Sequence, residues 1–434
     1  MEEPQFDCIF PSTIPKKAQP INILVDVCQR SMKTRTEIKF GVTMQAKTKS
    51  APKNWDRRGL PIWTYKSQSL FDIELKKIFR SHWQLVCHQS DLPDRGSYTT
   101  FDVGGDRALI IRGHDDKIRA FHNLCRHRGS RVVSAPNGRC KHVITCPFHG
   151  WSYNFDGSLR GVSKPKYLPD LNKQDWGLKA IETEIWNGFI FIRFEKSQQP
   201  SVNNLLGRFS ELVAPYQLEK LTGTGGAFVF ADVAANWKSM RDVDNEGYHV
   251  ATAHPSLHEL YGKDYYDEPY ENGTSLSVGK FNESPPSGWS VSLYKKMVAQ
   301  LNYLSEPQNS AWYYIGIFPN TVIGLYPDSV IFYQDIPVGL KQTKQRGAVY
   351  KHKNESRQMR AARYLSGRID GLTADEDLEL TKWVDEAPES SGFEKTILSD
   401  LEYGVYTYHE HLRQILPVMR EEKEPVVLGE TGIY

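Results

Sequence analysis

The pattern of apolar and polar residues divides most of the chain into a short β-rich region and a longer region of mixed helices and strands. Apolar residues recur at helical spacing over residues 70–79, and residues 81–87 then read as a strand. Further strand patterns, separated by turn residues, lie at 97–103, 107–112, 117–122, 178–184 and 188–194. This succession predicts a small antiparallel β domain.

A polar stretch without periodicity, residues 195–201, predicts a linker. Helical patterns beyond it cover 203–217, 238–250, 356–366, 374–386 and 400–415, and strand patterns cover 226–233, 311–318, 321–326 and 329–336. The mixture predicts an α+β fold class for this second region. We therefore expect an N-terminal arm at 1–60, an all-β domain at 61–196 and a larger domain at 202–434.

Composition excludes several classes of partner. The 434 residues contain 54 Lys+Arg against 52 Asp+Glu, so the chain lacks the basic footprint of a nucleic-acid binder. No apolar run reaches the roughly 18 to 20 residues of a membrane span, and the 6 cysteines do not suggest a secreted disulfide scaffold. We expect a cytosolic protein. The first 60 residues carry 11 Lys+Arg against 6 Asp+Glu, which predicts a loosely ordered or partner-packed basic arm.

Two Cys/His pairs in the β-rich region indicate a metal centre. Cys125 and His127 form one pair, and Cys146 and His149 form the other, with 18 residues between His127 and Cys146. Such a set fits a Cys2His2 zinc site or a Rieske [2Fe–2S] cluster, in which both Cys bind one iron and both His bind the other. The spacing favours the cluster, because each loop then supplies one ligand to each iron. Cys140 has no counterpart in the second loop, so we expect no disulfide beside the cluster.

A second metal site is indicated in the longer region by His249 and His254. The two histidines are five residues apart, which on a continuous helix would separate their side chains by about 140°. Pro255 disfavours helical geometry at His254, so the helix can break there and let both imidazoles bind one metal. Two histidines and a carboxylate form the triad that holds non-haem Fe(II).

Residues 372–384 offer the missing carboxylate. Thr373 and Glu376 have the spacing of a capping box and predict that a helix begins there. Asp375 falls on a solvated face, whereas Asp377 falls on the face predicted to be buried. That face also carries Leu380, Thr381 and Val384. Asp377 is therefore the predicted third ligand.

These residues carry a resemblance to a known family. From about Trp63 to Arg413 the chain resembles the alpha (terminal oxygenase) subunit of Rieske non-haem iron oxygenases. The motifs that carry it are Asn123-x-Cys-Arg-His-Arg-Gly, Cys146-Pro-Phe-His-Gly-Trp, Asn236-Trp-Lys, Glu246-x-Tyr-His-x4-His and Leu398-Ser-x-Leu-Glu-x-Gly-Val-x3-His409.

The resemblance implies roles for individual residues. Cys125, His127, Cys146 and His149 would hold the cluster, and His249, His254 and Asp377 would bind the iron. Glu246 corresponds to the acid that, in the family, links the cluster of one subunit to the iron of its neighbour, and helical spacing places it on the face of His249. One position departs from the family, which usually has Gln eight residues after the iron-binding Asp, where this chain has Asp385.

The resemblance also implies an activity and partners. The chain would use O2 and electrons from a separate NAD(P)H-dependent reductase, with or without a ferredoxin, and would form a homotrimer. The substrate would be a small aromatic compound or a betaine-like methylated amine, because residues 289–333 are rich in aromatics and both classes suit an aromatic pocket. Hydroxylation and oxidative demethylation both stay open. The alternatives are a Rieske electron-transfer protein and a non-catalytic subunit of the family.

Overall fold

The computed structural model describes residues 51–263 and 265–426. Most of the predicted basic arm, with Cys8 and Cys28, lies outside these residues. The first described elements are α1 (Gln68–Glu74), β1 (Gln84–His88), β2 (Ser97–Val103), β3 (Asp106–Arg112), β4 (Ile118–His122), β5 (Asn137–Arg139), β6 (Ile144–Thr145), β7 (Ser152–Tyr153), β8 (Leu159–Gly161), β9 (Ala180–Trp186) and β10 (Phe189–Arg193).

The strands of this N-terminal part form antiparallel sheets, as the alternating patterns predict. The larger sheet has the order β1-β10-β9-β4-β3-β2-β5, and β6, β7 and β8 form a small sheet of their own. Asn187 and Gly188 join β9 to β10, both at positive φ (45° and 88°), which is the backbone that a two-residue hairpin turn needs. Gly188 is also required for space, because a Cβ atom there would lie 2.1 Å from Nε2 of His88.

The second part of the chain is organised around another antiparallel sheet. Its elements are α2 (Val202–Leu206), α3 (Ser210–Val213), β11 (Leu221–Gly223), β12 (Phe228–Val233), α4 (Trp237–Asp244), α5 (Val250–Ala253), α6 (Pro255–Tyr261), β13 (Tyr265–Glu271), β14 (Thr274–Lys280), α7 (Trp289–Val298), β15 (Ala311–Ile317), β16 (Thr321–Leu325), β17 (Val330–Gly339), β18 (Gln342–His352), α8 (Arg357–Glu386) and α9 (Tyr403–Ile415). The sheet has the order β11-β18-β17-β16-β15-β14-β13, and β12 also pairs with β18.

Two apolar cores join the sheets and the helices. Alternate residues of β15, Tyr313 and Ile315, point into a core that also contains Leu85 and Phe191 of the N-terminal sheet. Trp312 points the opposite way, into a core that it shares with Leu365 and other residues of α8. Residues on the two sides of a strand thus serve different layers. The first of these cores contains residues from both parts of the chain.

A buried ion pair ties the first helix to the second part of the chain. Nζ of Lys238 on α4 lies 2.7 Å from Oε1 of Glu74 on α1, and both side chains are fully buried. The indole N–H of Trp237 donates to the other carboxylate oxygen of Glu74 at 2.8 Å. Both oxygens of this buried carboxylate therefore have a partner, which a charge without water requires.

The predicted linker is an ordered connector. Gln199 Oε1 accepts from the backbone N–H of Trp83 at 2.8 Å, and the carbonyl of Pro200 accepts from the Trp83 indole at 2.9 Å. Ser201 then caps α2. The polar side chains and carbonyls of this stretch form hydrogen bonds with Trp83, directly before β1. A segment without periodicity can therefore still be ordered by its contacts.

Several predicted element boundaries are wrong. The helix predicted over 238–250 ends at Asp244, and the one predicted over 203–217 is a succession of short helical segments that includes α2 and α3. The predicted helices 356–366 and 374–386 are one continuous helix, α8. Thr373 is an interior residue of α8 whose hydroxyl donates to the carbonyl of Ile369, so the predicted capping box does not exist. Within the described ranges, no helix has both the length and the apolar character needed to cross a membrane.

Candidate cluster and iron sites

The two Cys/His loops of the N-terminal part have the same backbone turn. In the first loop the carbonyl of Cys125 accepts from Gly129 at 2.9 Å, and in the second the carbonyl of Cys146 accepts from Gly150 at 3.0 Å. Each glycine follows its cysteine by four residues and has positive φ, 74° and 70° respectively. The loops are therefore structural duplicates, although the histidine stands two residues after the first cysteine and three after the second.

The four predicted cluster ligands differ in burial. Cys125 and Cys146 are buried, whereas His127 is exposed and His149 half-buried. The two imidazole rings are neighbours, with centroids 4.6 Å apart, and His127 stacks on Trp151. The thiols thus lie on the inner side of the site and the imidazoles on the outer side.

Tyr153 on β7 contacts the inner side of this site. Its hydroxyl lies 3.3 Å from Sγ of Cys125 and accepts from the backbone N–H of Arg126 at 3.0 Å. Burial raises the pKa of the Cys125 thiol, and the neighbouring Cys146 adds to this, while Tyr153 opposes it. Two adjacent buried thiols need a metal cation to become thiolates, so the donor set fits an iron–sulfur cluster.

The second site lies where α5, α6 and α8 meet. His249 directly precedes α5, and His254 lies between α5 and α6 with non-helical backbone angles (φ −119°, ψ 80°). The predicted break at His254 is confirmed. Because of it the two Nε2 atoms lie 3.0 Å apart. Asp377, in the C-terminal half of α8, brings its Oδ1 atom to 2.9 Å from Nε2 of His254 and 3.4 Å from Nε2 of His249.

These three atoms fit a metal ion. One ligand atom from each of His249, His254 and Asp377 lies within 4.8 Å of the other two. Among the described residues, Oδ1 of Asp377 has no hydrogen bond of regular geometry, although it is buried. Although burial opposes a charged imidazole, Asp377 and Glu246 raise the pKa of His249 to about 10. The site attracts positive charge, and two nitrogens with one carboxylate oxygen are a donor set typical of non-haem iron.

Carboxylates hold the far side of both imidazoles. Oε1 of Glu246 lies 2.5 Å from Nδ1 of His249, and Oε2 of Glu376 lies 2.8 Å from Nδ1 of His254. Such a contact fixes the orientation of the ring and leaves Nε2 free to face a metal. Glu246 also caps the start of this segment, because its other oxygen accepts from the backbone N–H groups of Tyr248 and His249.

The structure places Glu246, Asp377 and Asp385 in surroundings that differ from those predicted from the sequence. Glu246 reaches His249 from a non-helical segment and not along a helix face. The helix face that carries Asp377, predicted to be buried, is only partly buried, because Thr381 is buried but Val384 is 50% exposed. Asp385, where relatives usually have Gln, is buried and accepts from Asn236 and Ser239 of the α4 start and from Lys341.

Sequence reasoning missed two residues that contact predicted ligands. The sequence pattern places Glu376 in a helix cap with Thr373. Its position next to Asp377 does not indicate that its side chain contacts His254. Tyr153 follows Cys146 by seven residues across a β turn, and no spacing rule links it to Cys125. Both contacts arise from the packing of separate elements.

Comparison with known proteins agrees with both sites. Residues 82–172 match the family described as Rieske [2Fe-2S] domain, and residues 220–417 match the family described as ring hydroxylating alpha subunit (catalytic domain). The chain belongs to the Rieske non-haem iron oxygenase alpha subunits. The α+β fold class with a small all-β part is confirmed, and alpha subunits of this family hold a [2Fe–2S] cluster and mononuclear iron.

Relatives of this alpha subunit act on different substrates according to their names. It is 32% identical over 198 residues to the glycine betaine monooxygenase oxygenase subunit of Pseudomonas aeruginosa, covering 46% of this chain and 45% of that protein. It is 25% identical over 381 residues to the carnitine monooxygenase oxygenase subunit of Escherichia coli, covering 84% and 96%. The anthranilate 1,2-dioxygenase large subunit of Acinetobacter baylyi is 32% identical over 198 residues, covering 44% and 41%. The chain thus matches about half the length of the glycine betaine and anthranilate relatives.

A solved structure of a related enzyme supports the fold of this alpha subunit along most of its length. The crystal structure of a quaternary ammonium Rieske monooxygenase in complex with L-carnitine has 25% sequence identity and a TM-score of 0.68. The superposition covers 82% of this chain and 95% of that one. The two chains therefore share both parts of the fold.

Proposed function

We propose that this chain is a terminal oxygenase component that uses O2 and electrons from a separate NAD(P)H-dependent reductase to hydroxylate or oxidatively demethylate a small organic substrate. The observation that carries the proposal is the convergence of His249, His254 and Asp377 within 4.8 Å. A Rieske electron-transfer protein has no use for a second metal site of this kind. When bound, the mononuclear iron supplies activation of O2, and the cluster supplies the electrons.

The residues of the chain divide the remaining work. His249, His254 and Asp377 would hold the iron on one face, which leaves other positions for O2 and substrate. Glu246 and Glu376 keep the two imidazoles oriented and in the tautomer that leaves Nε2 without a proton. Cys125, His127, Cys146 and His149 would hold the cluster, with the exposed histidine side toward an electron donor.

The proposal also covers organisation and partners. We place the cluster domain at 61–196 and the catalytic domain at 202–434, and we propose that the chain works as a homotrimer with a reductase. A solved relative is described as transferring electrons between subunits, which supports an oligomer. Light scattering on the purified holoprotein measures the subunit number directly. The predicted cytosolic location remains a prediction.

A substrate screen tests the activity. The purified protein, loaded with cluster and iron, is combined with a surrogate reductase, and NADH-dependent oxygen uptake is followed together with product. Methylated amines and aromatic acids are both included. Uptake coupled to product with one class supports the proposal, and the exposed Asp375→Asn variant should retain it. Failure of the fully loaded protein to turn over any substrate would favour an electron-transfer or non-catalytic role.

A further inference from the structure

Asp370 on α8 is an acidic residue that the proposed chemistry does not use. Its side chain is surrounded largely by protein, and the residue retains some accessible surface. Its carboxylate accepts a hydrogen bond from the hydroxyl of Tyr326 at 3.1 Å. Among the described residues no cationic side chain contributes to its electrostatics, and nearby Arg368 lies over Trp289 instead. A buried carboxyl without a counter-charge requires an explanation.

The position of Asp370 relative to the iron site is set by the helix. Asp370 precedes Asp377 by seven residues in the uninterrupted helix α8. Seven residues rise by about 10 Å and turn by about 700°, so the two side chains leave the same face. A molecule of several carbon atoms could therefore touch Asp370 at one end and lie next to the iron site at the other.

A chain of tyrosine hydroxyls ends at the Asp370 carboxyl, which Tyr326 contacts directly. The hydroxyl of Tyr326 also lies 3.5 Å from that of Tyr314, which is 2.8 Å from the hydroxyl of Tyr261. Trp312 stacks on Tyr326 with ring centroids 4.0 Å apart. Tyr314 is half-buried, and it is close enough for the Asp370 carboxylate to raise its pKa, with burial as the larger cause. Aromatic faces together with a carboxylate form the environment that binds an alkylated ammonium group.

The geometry points to Asp370, together with Tyr314 and Tyr326, as the recognition site for the cationic head of an ammonium substrate. This inference rests on the proposed function and adds the substrate class to it. An aromatic acid would bring a second carboxylate close to Asp370, which has no cationic partner among the described residues and therefore disfavours it.

The acid–base behaviour of Asp370 agrees with this role. Burial, with a smaller contribution from Asp328, raises the pKa of Asp370 to about 8, while the hydrogen bond from Tyr326 opposes the shift. The neighbouring Asp328 is itself satisfied by Tyr294, Ser329 and Ser366. A bound cation would favour the ionised form of Asp370, so binding should release a proton near neutral pH.

Equilibrium binding without turnover tests the inference. Anaerobic calorimetry on the holoprotein compares glycine betaine or choline with its tert-butyl analogue, in which carbon replaces the charged nitrogen. We expect the wild type to bind the ammonium ligand at least about tenfold more tightly than the analogue, and Asp370→Asn to reduce this ratio at least about tenfold. Asp375→Asn, an exposed acid on the same helix, should keep the ratio.

A second measurement uses the wild type alone, in case Asp370→Asn does not fold. Calorimetry in two buffers of different ionisation enthalpy should show proton release when the ammonium ligand binds and none with the analogue. An unchanged ratio in Asp370→Asn, or tighter binding of benzoate than of the ammonium ligand, would overturn the inference. Coupled turnover of an aromatic acid alone would also overturn it while leaving the terminal oxygenase proposal intact. Selective ammonium binding without any oxygen uptake would support the site and count against the proposed activity.

Discussion

Oε2 of Glu376 lies 2.8 Å from Nδ1 of His254. The contact links α8 to the segment between α5 and α6, and it comes from the residue next to Asp377. One helix therefore supplies both a predicted ligand and the group that orients another ligand. Outer carboxylates of this kind raise the basicity of the imidazole and fix its orientation.

Removing the charge of Glu376 should weaken metal binding. We expect Glu376→Gln to lower the affinity of the iron site by about tenfold or more. Titration with Co(II), followed by its visible absorption, measures the affinity independently of activity. Asp375→Asn is the matched control, because this neighbouring acid is exposed. Equal affinities in the two variants would show that Glu376 does not act on His254.

Loss of the Asp377 carboxylate should empty the iron site and leave the cluster in place. Asp377→Asn removes the carboxylate charge from the set of three, so iron content should fall from about three to about two atoms per chain. The visible spectrum of the cluster should stay intact, because Cys125, His127, Cys146 and His149 are untouched. Metal analysis and absorption on the same sample check both statements. Loss of the cluster as well would contradict the assignment of Asp377.

The hydroxyl of Tyr153 should tune the cluster. A hydrogen bond to a ligand sulfur stabilises the more negative, reduced cluster, so Tyr153→Phe should lower the reduction potential. A redox titration monitored by circular dichroism measures the reduction potential. Tyr167→Phe serves as the control, because Tyr167 is 69% exposed. An unchanged potential in Tyr153→Phe would mean that the 3.3 Å contact with Cys125 does not persist in the loaded protein.

Two buried histidines, His82 just before β1 and His88 at its last position, should make the fold sensitive to acid. Burial lowers the pKa of both His82 and His88 from 6.5 to about 4. Below pH 6.5 the unfolded chain takes up protons that the folded chain excludes, so the free energy of unfolding falls as the pH drops from about 6.5 to about 4. Each histidine contributes at most about 3 kcal/mol to this loss.

Urea unfolding at several pH values measures this dependence. His82→Asn should flatten the curve between about pH 6.5 and about pH 4, whereas His142→Asn, at an exposed position, should leave its slope unchanged. A slope in His82→Asn equal to that of the wild type would exclude His82 as a source.

The buried pair of Glu74 and Lys238 gives a stability prediction. Lys238→Met leaves a fully buried carboxylate without its cation, so the free energy of unfolding should fall by about 3–5 kcal/mol. The double variant with Glu74→Gln removes the stranded charge and should recover most of this loss. Urea unfolding of the two variants and the wild type provides the comparison. A double variant no more stable than Lys238→Met would contradict the account.

The sequence predicted the metal chemistry better than the element boundaries. Cys125, Cys146, His249 and His254 stand in short local motifs, so their spacing alone indicates what they can bind. The strands β13 and β18 were not predicted, because β13 is polar and half-buried along most of its length and β18 alternates irregularly. The single helix α8 was divided because Thr373 and Glu376 match a cap locally, while packing continues the helix through them.

Long-range contacts account for the rest. Nothing in the order of residues indicates that Glu376 meets His254, 122 positions earlier, or that Tyr326 meets Asp370, 44 positions later. The seven-residue interval between Asp370 and Asp377 was available in the sequence. It gained meaning only when α8 proved to be continuous and Asp370 proved to be enclosed.

The continuity of α8 also couples Asp370 and Asp377 to each other in this chain. A one-residue insertion between Asp370 and Asp377 would turn one carboxylate by about 100° relative to the other and remove it from the common face. In this chain the interval between them therefore cannot change in length without separating the two groups. A change of charge at position 370 alone would alter the proposed recognition site and leave the carboxylate of Asp377 in place.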